Sequence, residues 1–376
     1  MDFFTSFISK ESILLVNEVL REAKVSAGIK AEKFEELITK ELNIKYPVTV
    51  NSGTSGLHLC LCMLRLKKYD EVILPAQTFL ASAMSIKMVD AKPVFADIDY
   101  ETGNISIKSI EKKITSKTKA IMPVHYAGNP CNLKDINKIA KDHKLKVIED
   151  AAHAFGAEYN NKPIGNFSDF TVFSFQAIKN ITTGDGGLIS TKIKKNFLEI
   201  QKKRWFGIDR KKSKISFLGE RIFNLEEIGY KYHMNDIAAA IGIGNLMNYK
   251  KTLNKKRNIA KYYCNKLKNI DGIKFLKIEK NSKSAYWLFP ILVKDRKNFI
   301  KKLRSHNIPI SVVHTGIDKF SIFGGIQKKL IHQRKFDKNQ VSLPIHSSMK
   351  QRDLKKYMMS LHLVGNFFLQ ILVQIQ

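Results

Sequence analysis

The chain has 376 residues, of which 44% are hydrophobic, 10% aromatic and 26% charged. This composition excludes a disordered or low-complexity protein, because such chains are poor in the aromatic and aliphatic residues that build a core. The length favours two domains, or one large and one small domain, with ample buried core.

The formal net charge is +30, from 64 Lys and Arg against 34 Asp and Glu. Such an excess raises a basic regulatory or nucleic-acid-binding protein as one alternative function. The lysines are spread along the chain, however, and neither zinc-finger spacing nor an RNA-binding aromatic signature accompanies them. We therefore expect no nucleic-acid partner, and an attraction for anionic small molecules such as sugar nucleotides.

Cysteine usage and the two ends of the chain indicate the compartment. The four cysteines form no CxxC pair, which favours buried thiols over a disulfide framework and predicts no metal site. The first twelve residues lack the pattern of a signal peptide, so we expect a cytoplasmic protein. The apolar segment 364–376 is too short to span a membrane, and it predicts a terminal helix or strand on the body or an atypical end.

The first half of the chain alternates short β-rich runs with segments whose apolar residues recur at three and four positions. This alternation predicts an α/β fold with a mostly parallel sheet between helices, and it places functional sites at the carboxyl ends of the strands. The predicted strands are 47–53, 70–76, 92–98, 119–128, 144–151, 170–176 and 186–191, and the helical segments between them include 54–67, 78–89 and 132–143.

The second half has a different pattern. Residues 192–245 suggest helices and loops, and a long Lys-rich helix is predicted over 246–269. Shorter strand and helix patterns follow this helix, which predicts a smaller α+β unit. We therefore predict a large domain over residues 1–245 and a small C-terminal domain over residues 246–376.

A phosphate site is predicted in the sequence NSGTSGLH at 51–58, which leads from a strand into a helix. The free N–H groups at a helix N-terminus attract anions, and the hydroxyls of Thr54 and Ser55 add donors. The alternative for this turn on its own is a plain helix cap.

A buried carboxylate is predicted at the end of the strand in VIEDAAHAFG, residues 147–156. Such a carboxylate needs a helix N-terminus or a cationic ligand, and the protonated nitrogen of a pyridine ring would serve Asp150 as that ligand. His153 could pack against the same ring, although a structural histidine is the alternative.

The most specific segment is FSFQAIKNITTGDGG, residues 173–187. Lys179 lies in a polar turn between two apolar strands, and Ser174 lies on the incoming strand. A lysine close to a phosphate site and a buried carboxylate is suited to forming a Schiff base with an aldehyde cofactor.

A fourth segment, PAQTFLAS at 75–82, places Phe79 after a strand, where it either stacks on a cofactor ring or joins the core. Together the four segments indicate pyridoxal phosphate (PLP). The chain has no GxGxxG after its first strand and no GxxxxGK[ST], which argues against a nicotinamide dehydrogenase and a Walker nucleotidase.

The segments SGTSGLHL, DEVILPAQTFLAS, VIEDAAHAFGAEY, FSFQAIKNITTGDGG and GYKYHMNDIAAAIG resemble the DegT/DnrJ/EryC1/StrS sugar aminotransferases. The similarity is specific from about residue 25 to 250 and looser to about 360. It implies the fold type I architecture of PLP-dependent transferases, with a mixed, mostly parallel seven-stranded sheet between helices and a smaller C-terminal α+β domain.

The resemblance also implies roles for single residues. Lys179 would carry the cofactor and move the reacting proton, and Asp150 would pair with the pyridine nitrogen. The remaining cofactor contacts would be ring contacts from Phe79 and His153, and phosphate contacts from Thr54, Ser55, Ser174 and, across a homodimer interface, Lys231.

Single residues in the family pattern help to choose between the possible reactions. His233 stands where many relatives have Arg or Asn, which puts its contact in doubt, and His314 matches a position near the substrate only loosely. Relatives that dehydrate sugars replace the lysine with histidine, so Lys179 favours amination.

The implied reaction transfers an amino group from L-glutamate, which leaves as 2-oxoglutarate, to a nucleotide-linked keto sugar, with a 4-keto-6-deoxy sugar favoured over a 3-keto sugar. Such products enter surface polysaccharide, lipopolysaccharide O-antigen and other glycan pathways. The alternatives are a non-aminating dehydratase or lyase of the same fold and an inactive relative. The basic stretch 202–214 either helps to bind the nucleotide diphosphate or is a solvated loop.

Overall fold

The computed structural model describes residues 2–210, 212–359 and 361. The predicted terminal element over 364–376 lies outside these residues. Among the residues described, no helix combines the length and the apolar character needed to cross a membrane.

A seven-stranded sheet forms the centre of the large domain, with the strand order β1-β9-β8-β5-β4-β2-β3. β9 runs antiparallel to both of its neighbours, and the registers given for the other pairs are parallel. The strands are β1 Val48–Val50, β2 Glu71–Pro75, β3 Lys92–Ala96, β4 Thr118–Ile121, β5 Lys146–Asp150, β8 Phe170–Ser174 and β9 Gly187–Thr191. The predicted mixed, mostly parallel sheet is confirmed, and each strand is shorter than its apolar run.

Helices cover both faces of this sheet. Neighbouring residues of β5 show the two faces, because Val147 packs into one apolar cluster and Ile148 into the other. Side chains cap several helix N-termini, including Ser52 before α3 and Asn132 before α6, as short polar residues commonly do. These helices are α1 Lys10–Arg21, α2 Ile29–Leu42, α3 Gly53–Met63, α4 Leu80–Lys87, α5 Ile107–Lys113, α6 Leu133–Asp142, α7 Lys194–Lys203 and α8 Asp236–Met247.

The C-terminal part contains a three-stranded antiparallel sheet in the order β12-β14-β15, which shares its own apolar cluster with α9 and α10. Its elements are α9 Tyr249–Leu267, β12 Ile273–Phe275, β14 Phe289–Val293, α10 Arg296–Ser305, α11 Ile331–Asn339 and β15 Gln340–Leu343, followed by helical residues 351–359. The long Lys-rich helix predicted over about 246–269 is confirmed as α9, and Asn248 separates it from α8.

The division of the chain near residue 246 stays a prediction. Later residues also pair with earlier ones, since β13 Ser282–Lys283 joins a small sheet with β6 Glu158–Tyr159 and β7 Lys162–Pro163.

Two segments differ from their predicted patterns. Residues 309–315, where a short strand or helix was expected, form only a single bridge between Ser311 and Ser342. A hairpin within 192–245, formed by β10 Lys214–Ile215 and β11 Arg221–Ile222, has no counterpart in the predictions.

Candidate active site

The sheet brings the four predicted segments to one edge. β1, β2, β5 and β8 run in the same direction, since β9 is antiparallel to both β1 and β8. Their carboxyl ends therefore lie together, and they lead into the turn at 51–55, Phe79, Asp150 and the turn that contains Lys179. This is the edge at which open α/β sheets bind ligands.

The turn before α3 is built as a helix cap that faces β8. The Ser52 hydroxyl accepts a hydrogen bond from the Ser55 N–H at 3.1 Å, and the Ser55 hydroxyl donates to Asn51 Oδ1 at 2.7 Å. A Cβ at Gly53 would lie 3.1 Å from the Cβ of Ser174, so a larger residue there would crowd β8. The helix start and Ser174 are thus adjacent, with Thr54 half-buried in the first turn.

Asp150 is buried at the end of β5 and is held on both carboxylate oxygens. Oδ2 accepts from the hydroxyl of Ser82 at 2.6 Å, and Oδ1 accepts from the N–H of Ala152 at 3.1 Å. The Ser82 hydroxyl also lies 2.7 Å from that of Thr78. These contacts orient the carboxylate and leave its charge without a bonded cation among the residues described.

Lys179 lies in the turn after β8, with its amine buried. Its Nζ is 3.9 Å from the centroid of the Trp287 ring. Burial lowers the pKa of Lys179 to about 7, and the nearby charge of Asp150 partly opposes this shift. A substantial fraction of the amine is therefore unprotonated at neutral pH, as a nucleophile or proton acceptor requires.

Two histidines and Phe79 line the space next to Lys179. The His153 ring stacks on Trp287 at 3.8 Å, and His314 is parallel to His153 at 5.5 Å. His153 Nδ1 and His314 Nε2 are buried and have no hydrogen-bond partner in the described structure. Phe79 contacts His314 at 5.8 Å and is 56% exposed, so it does not join the core.

Burial keeps both imidazoles neutral. The pKa of His153 lies well below its ordinary value because the ring is buried, and burial lowers the pKa of His314 to about 4. The positive charge of Lys179 acts in the same direction on both rings. At neutral pH each ring therefore offers a donor and an acceptor to a neighbouring group.

The predicted phosphate contact of Lys231 is not formed within one chain. Lys231 is exposed and bridges Trp205 through its backbone, and its carbonyl accepts from Asn51 Nδ2 at 3.4 Å. Its role at a partner's cofactor stays a prediction. His233 packs edge-on against Trp205 at 4.2 Å, and burial lowers its pKa to about 4.

Several residues that build the site have no role predicted from the sequence. Trp287 and Lys256 come from the C-terminal part, and Ser82, the last residue of PAQTFLAS, lies in the first turn of α4. Only two tryptophans occur in the chain, and Trp287 lies in a predicted apolar strand, which is a weak signal. Lys256 lies in a helix rich in lysine, so nothing distinguishes it from its exposed neighbours.

These residues fit PLP. A buried amine, a buried carboxylate and a helix N-terminus match its aldehyde, its protonated ring nitrogen and its phosphate. The partnerless nitrogens of His153 and His314 also leave hydrogen-bonding capacity in the space between these groups. Lys179 would hold the aldehyde, Asp150 the ring nitrogen, and Thr54 with Ser174 the phosphate.

Comparison with known proteins gives a consistent result. The model of the DegT/DnrJ/EryC1/StrS aminotransferase family matches residues 6–362. The chain is 37% identical to the GDP-perosamine synthase of Escherichia coli O157:H7, with 77% of each chain covered. It is 32% identical to the UDP-4-amino-4-deoxy-L-arabinose--oxoglutarate aminotransferase of Shewanella sediminis, over 96% of this chain and 97% of that protein.

The solved structures agree with these relatives. The structure of Spr1654 from Streptococcus pneumoniae in its PLP form matches with a TM-score of 0.90 at 26% identity, over 97% of this chain and 98% of that chain. The chain therefore belongs to the DegT/DnrJ/EryC1/StrS aminotransferase family and is a PLP-dependent aminotransferase.

Proposed function

We propose that this enzyme transfers an amino group from L-glutamate to a nucleotide-linked keto sugar, favouring a 4-keto-6-deoxy sugar, for surface polysaccharide, O-antigen or another glycan. The observation that carries the proposal is the buried amine of Lys179, with a lowered pKa, at the same sheet edge as the buried carboxylate of Asp150. A relative named GDP-perosamine synthase and one named as an oxoglutarate aminotransferase support the sugar and the donor.

Each residue has a task that its position supports. When bound, PLP supplies an aldehyde for the amino group and a ring that accepts electrons from the reacting carbon. Lys179 Nζ takes a proton from the donor carbon and returns one to the sugar carbon, which a pKa near neutrality favours. Asp150 keeps the ring nitrogen protonated, and Ser82 holds the Asp150 carboxylate in place.

The first turn of α3 suits the cofactor phosphate. The N–H groups of the first helical residues have no partner within a helix, and the positive end of α3 attracts the anion. Thr54 and Ser174 add hydroxyl donors beside this turn. Ser55 contributes by ordering the turn, because its hydroxyl donates to Asn51.

We also propose that the enzyme acts as a homodimer in the cytoplasm, with Lys231 reaching the partner's phosphate site. The hairpin region exposes Phe217 and Leu218 almost completely, at 103% and 81%, and such apolar side chains favour a protein interface. Lys231 is exposed close to this region of the chain. The four cysteines are free in this structure.

The net charge supports an anionic substrate. The excess of cations attracts a nucleotide diphosphate from solution, although it does not select the base or the sugar. The basic stretch that begins at Lys202 lines a cleft of about 600 Å³ together with Trp205 and His233.

The test uses the purified protein loaded with PLP. Its visible spectrum is recorded before and after L-glutamate is added, and 2-oxoglutarate release is measured with GDP-, UDP- and dTDP-linked 4-keto-6-deoxy sugars. We expect a yellow band that glutamate bleaches and one of these sugars restores. The amino sugar is identified by mass spectrometry.

Lys179→Ala is the test variant and Lys141→Ala, an exposed lysine on α6, is the matched control. The first should lose amino transfer and the second should retain it. A band that does not respond to glutamate would overturn the donor assignment and favour a non-aminating reaction. A bleached band that no keto sugar restores would overturn the acceptor class.

A further inference from the structure

Trp287 contacts three parts of the chain. They are the turn that contains Lys179, the rings of His153 and His314, and Phe4 near the N-terminus. Trp287 precedes β14 and is only 2% exposed. Its ring stacks on His153 at 3.8 Å, and Phe4 lies nearly parallel to it at 5.7 Å. The ring therefore has a fixed position beside the amine of Lys179.

The segment that carries Trp287 also binds the residues on both sides of Lys179, through the backbone of Ile178 and the side chain of Asn180. Trp287 Nε1 donates to the carbonyl of Ile178 at 2.9 Å, and Asn180 Nδ2 donates to the carbonyl of Ala285 at 2.9 Å. The residues before and after Lys179 are thus tied to the same three-residue stretch. A displacement of this stretch would move the lysine.

The face of the Trp287 ring also contacts the amine of Lys179 directly. Lys179 Nζ is 3.9 Å from the ring centroid, which is within the distance at which an ammonium group is attracted to an indole face. The other charged or titratable groups around the amine are Asp150 from β5, His153 and His314. Lys256 from α9 lines the same small cavity as Lys179.

We propose that Trp287 is a positioning residue for Lys179, which receives the amine on its indole face whenever the lysine is not bonded to a cofactor. In the proposed reaction the lysine must leave the cofactor and still transfer protons beside it. An indole that holds the amine at 3.9 Å keeps it within reach and out of bulk water. The inference rests on the proposed role of Lys179, but its test does not require amino transfer.

The first experiment measures tryptophan fluorescence in the cofactor-free protein. The chain has two tryptophans, so Trp205→Phe leaves Trp287 as the only indole, and selective excitation of indole avoids emission from the twelve tyrosines. An ammonium group against an indole changes its emission, and we expect a titration with a midpoint near pH 7, set by Lys179. His153 and His314 titrate well below this range. Lys256, however, lines the same small cavity and also has a pKa of about 7, so a variant of Lys179 is needed to assign the titration.

Lys179→Met in the same Trp205→Phe background is the control that decides this result. The titration near pH 7 should disappear, because no ammonium group then approaches the ring. A titration that persists in Lys179→Met would overturn the proposal, and so would emission that is constant between pH 6 and 8.5.

The second experiment follows the rate at which the cofactor-free protein binds PLP, read from the growth of the yellow band at each pH. This rate reports the unprotonated fraction of Lys179. Loss of the indole in Trp287→Leu should lower its midpoint by about 0.5 to 1 pH unit, because the protonated amine loses a stabilising contact. Trp287→Phe keeps an aromatic face and should restore most of the midpoint.

A purely structural role for Trp287 makes a different prediction. It would lower the melting temperature of Trp287→Leu and leave the midpoint of PLP binding unchanged, and that result would overturn the proposal. If Trp287→Leu does not fold, the fluorescence titration of the Trp205→Phe protein still tests whether the amine of Lys179 lies on the Trp287 ring. A protein that shows this titration but transfers no amino group would refute the proposed function and leave the positioning role standing.

Discussion

The parts of the chain before and after residue 246 contribute to the candidate active site in different ways. The first part supplies Asp150, Lys179 and the hydroxyls of the phosphate turn, all from the carboxyl ends of strands in one sheet. The second part supplies Trp287 and His314 from loops that pack against this edge. The positions of the candidate reacting groups thus depend on strand order, whereas the side chains around them depend on contacts between distant segments.

We expect the largest loss of activity from a change at Asp150, which lies in the first part of the chain. Asp150→Asn removes a buried carboxylate with little change in size, so the ring nitrogen of PLP loses the charge that keeps it protonated. We expect kcat for amino transfer to fall by about 10² to 10³. The steady-state rate of isotope exchange between labelled 2-oxoglutarate and unlabelled L-glutamate measures this loss.

Ser82→Ala is the matched control, because it removes one hydrogen bond to the Asp150 carboxylate and leaves the carboxylate itself. A hydrogen bond to a charged group is worth about 1.5 to 3 kcal/mol, so its loss should lower the rate by at most about 10- to 150-fold. Equal losses in both variants would show that orientation of Asp150, and not its charge, is what the site requires.

The next prediction concerns the stability provided by a buried contact between the two parts of the chain. Gln77 is fully buried, donates to the carbonyl of His314 at 3.0 Å and accepts from Gln333 at 2.7 Å. Gln77→Ala leaves buried polar groups with fewer partners, and we expect a loss of about 1 to 3 kcal/mol in the free energy of unfolding. Urea denaturation of the cofactor-free protein measures this loss.

Gln351→Ala changes an exposed glutamine and should leave the free energy of unfolding unchanged. Gln340 also donates to the His314 carbonyl, at 2.5 Å, so the loop keeps one of its two anchors in Gln77→Ala. A stability equal to that of the unmodified protein would show that this anchor is sufficient and that the Gln77 contact between the parts is dispensable.

The positions of the candidate reacting groups could be predicted because their signals are local. A strand followed by a polar turn is visible in the sequence, and Asp150 and Lys179 lie directly in such turns. The parallel direction of β1, β5 and β8 then brings the turns to one edge, which the alternating pattern already indicates. The family resemblance added their roles at the cofactor.

The side chains that surround Lys179 and Asp150 could not be predicted in the same way. Trp287 is 108 positions from Lys179 in the chain, and its contact depends on how the second part packs against the first. Lys256 lies among many exposed lysines, and only the folded structure shows that it is buried.

Lys256 gives a prediction on the pH dependence of stability. Its Nζ donates to Asn180 Oδ1 at 2.7 Å, and burial lowers its pKa to about 7. In the unfolded chain the amine has its ordinary pKa near 10.5, so between these values the unfolded state binds more protons. The contribution of Lys256 therefore makes the protein more stable as pH rises above 7.

The free energy of unfolding should increase between pH 7 and 8.5. We expect this increase to be smaller in Lys256→Met than in the unmodified protein. One titrating lysine accounts for at most about 1.4 kcal/mol per pH unit. Lys255→Met alters the neighbouring exposed lysine and should retain the full slope. Equal slopes in the two variants would mean that Lys256 keeps its ordinary pKa in the folded protein.

The smallest effect is expected at the surface contact between the two parts. Lys283 on β13 lies 2.7 Å from Glu158 on β6, but its side chain is 57% exposed. Water already solvates both charges, so Lys283→Ala should lower the free energy of unfolding by no more than about 1 kcal/mol. The loss should also shrink in 1 M salt, where exposed charges are screened. Urea denaturation at low and high salt tests this, with the exposed Lys280→Ala as control. A salt-independent loss as large as that of Gln77→Ala would show that the two parts are joined as firmly at this edge as in the buried interior.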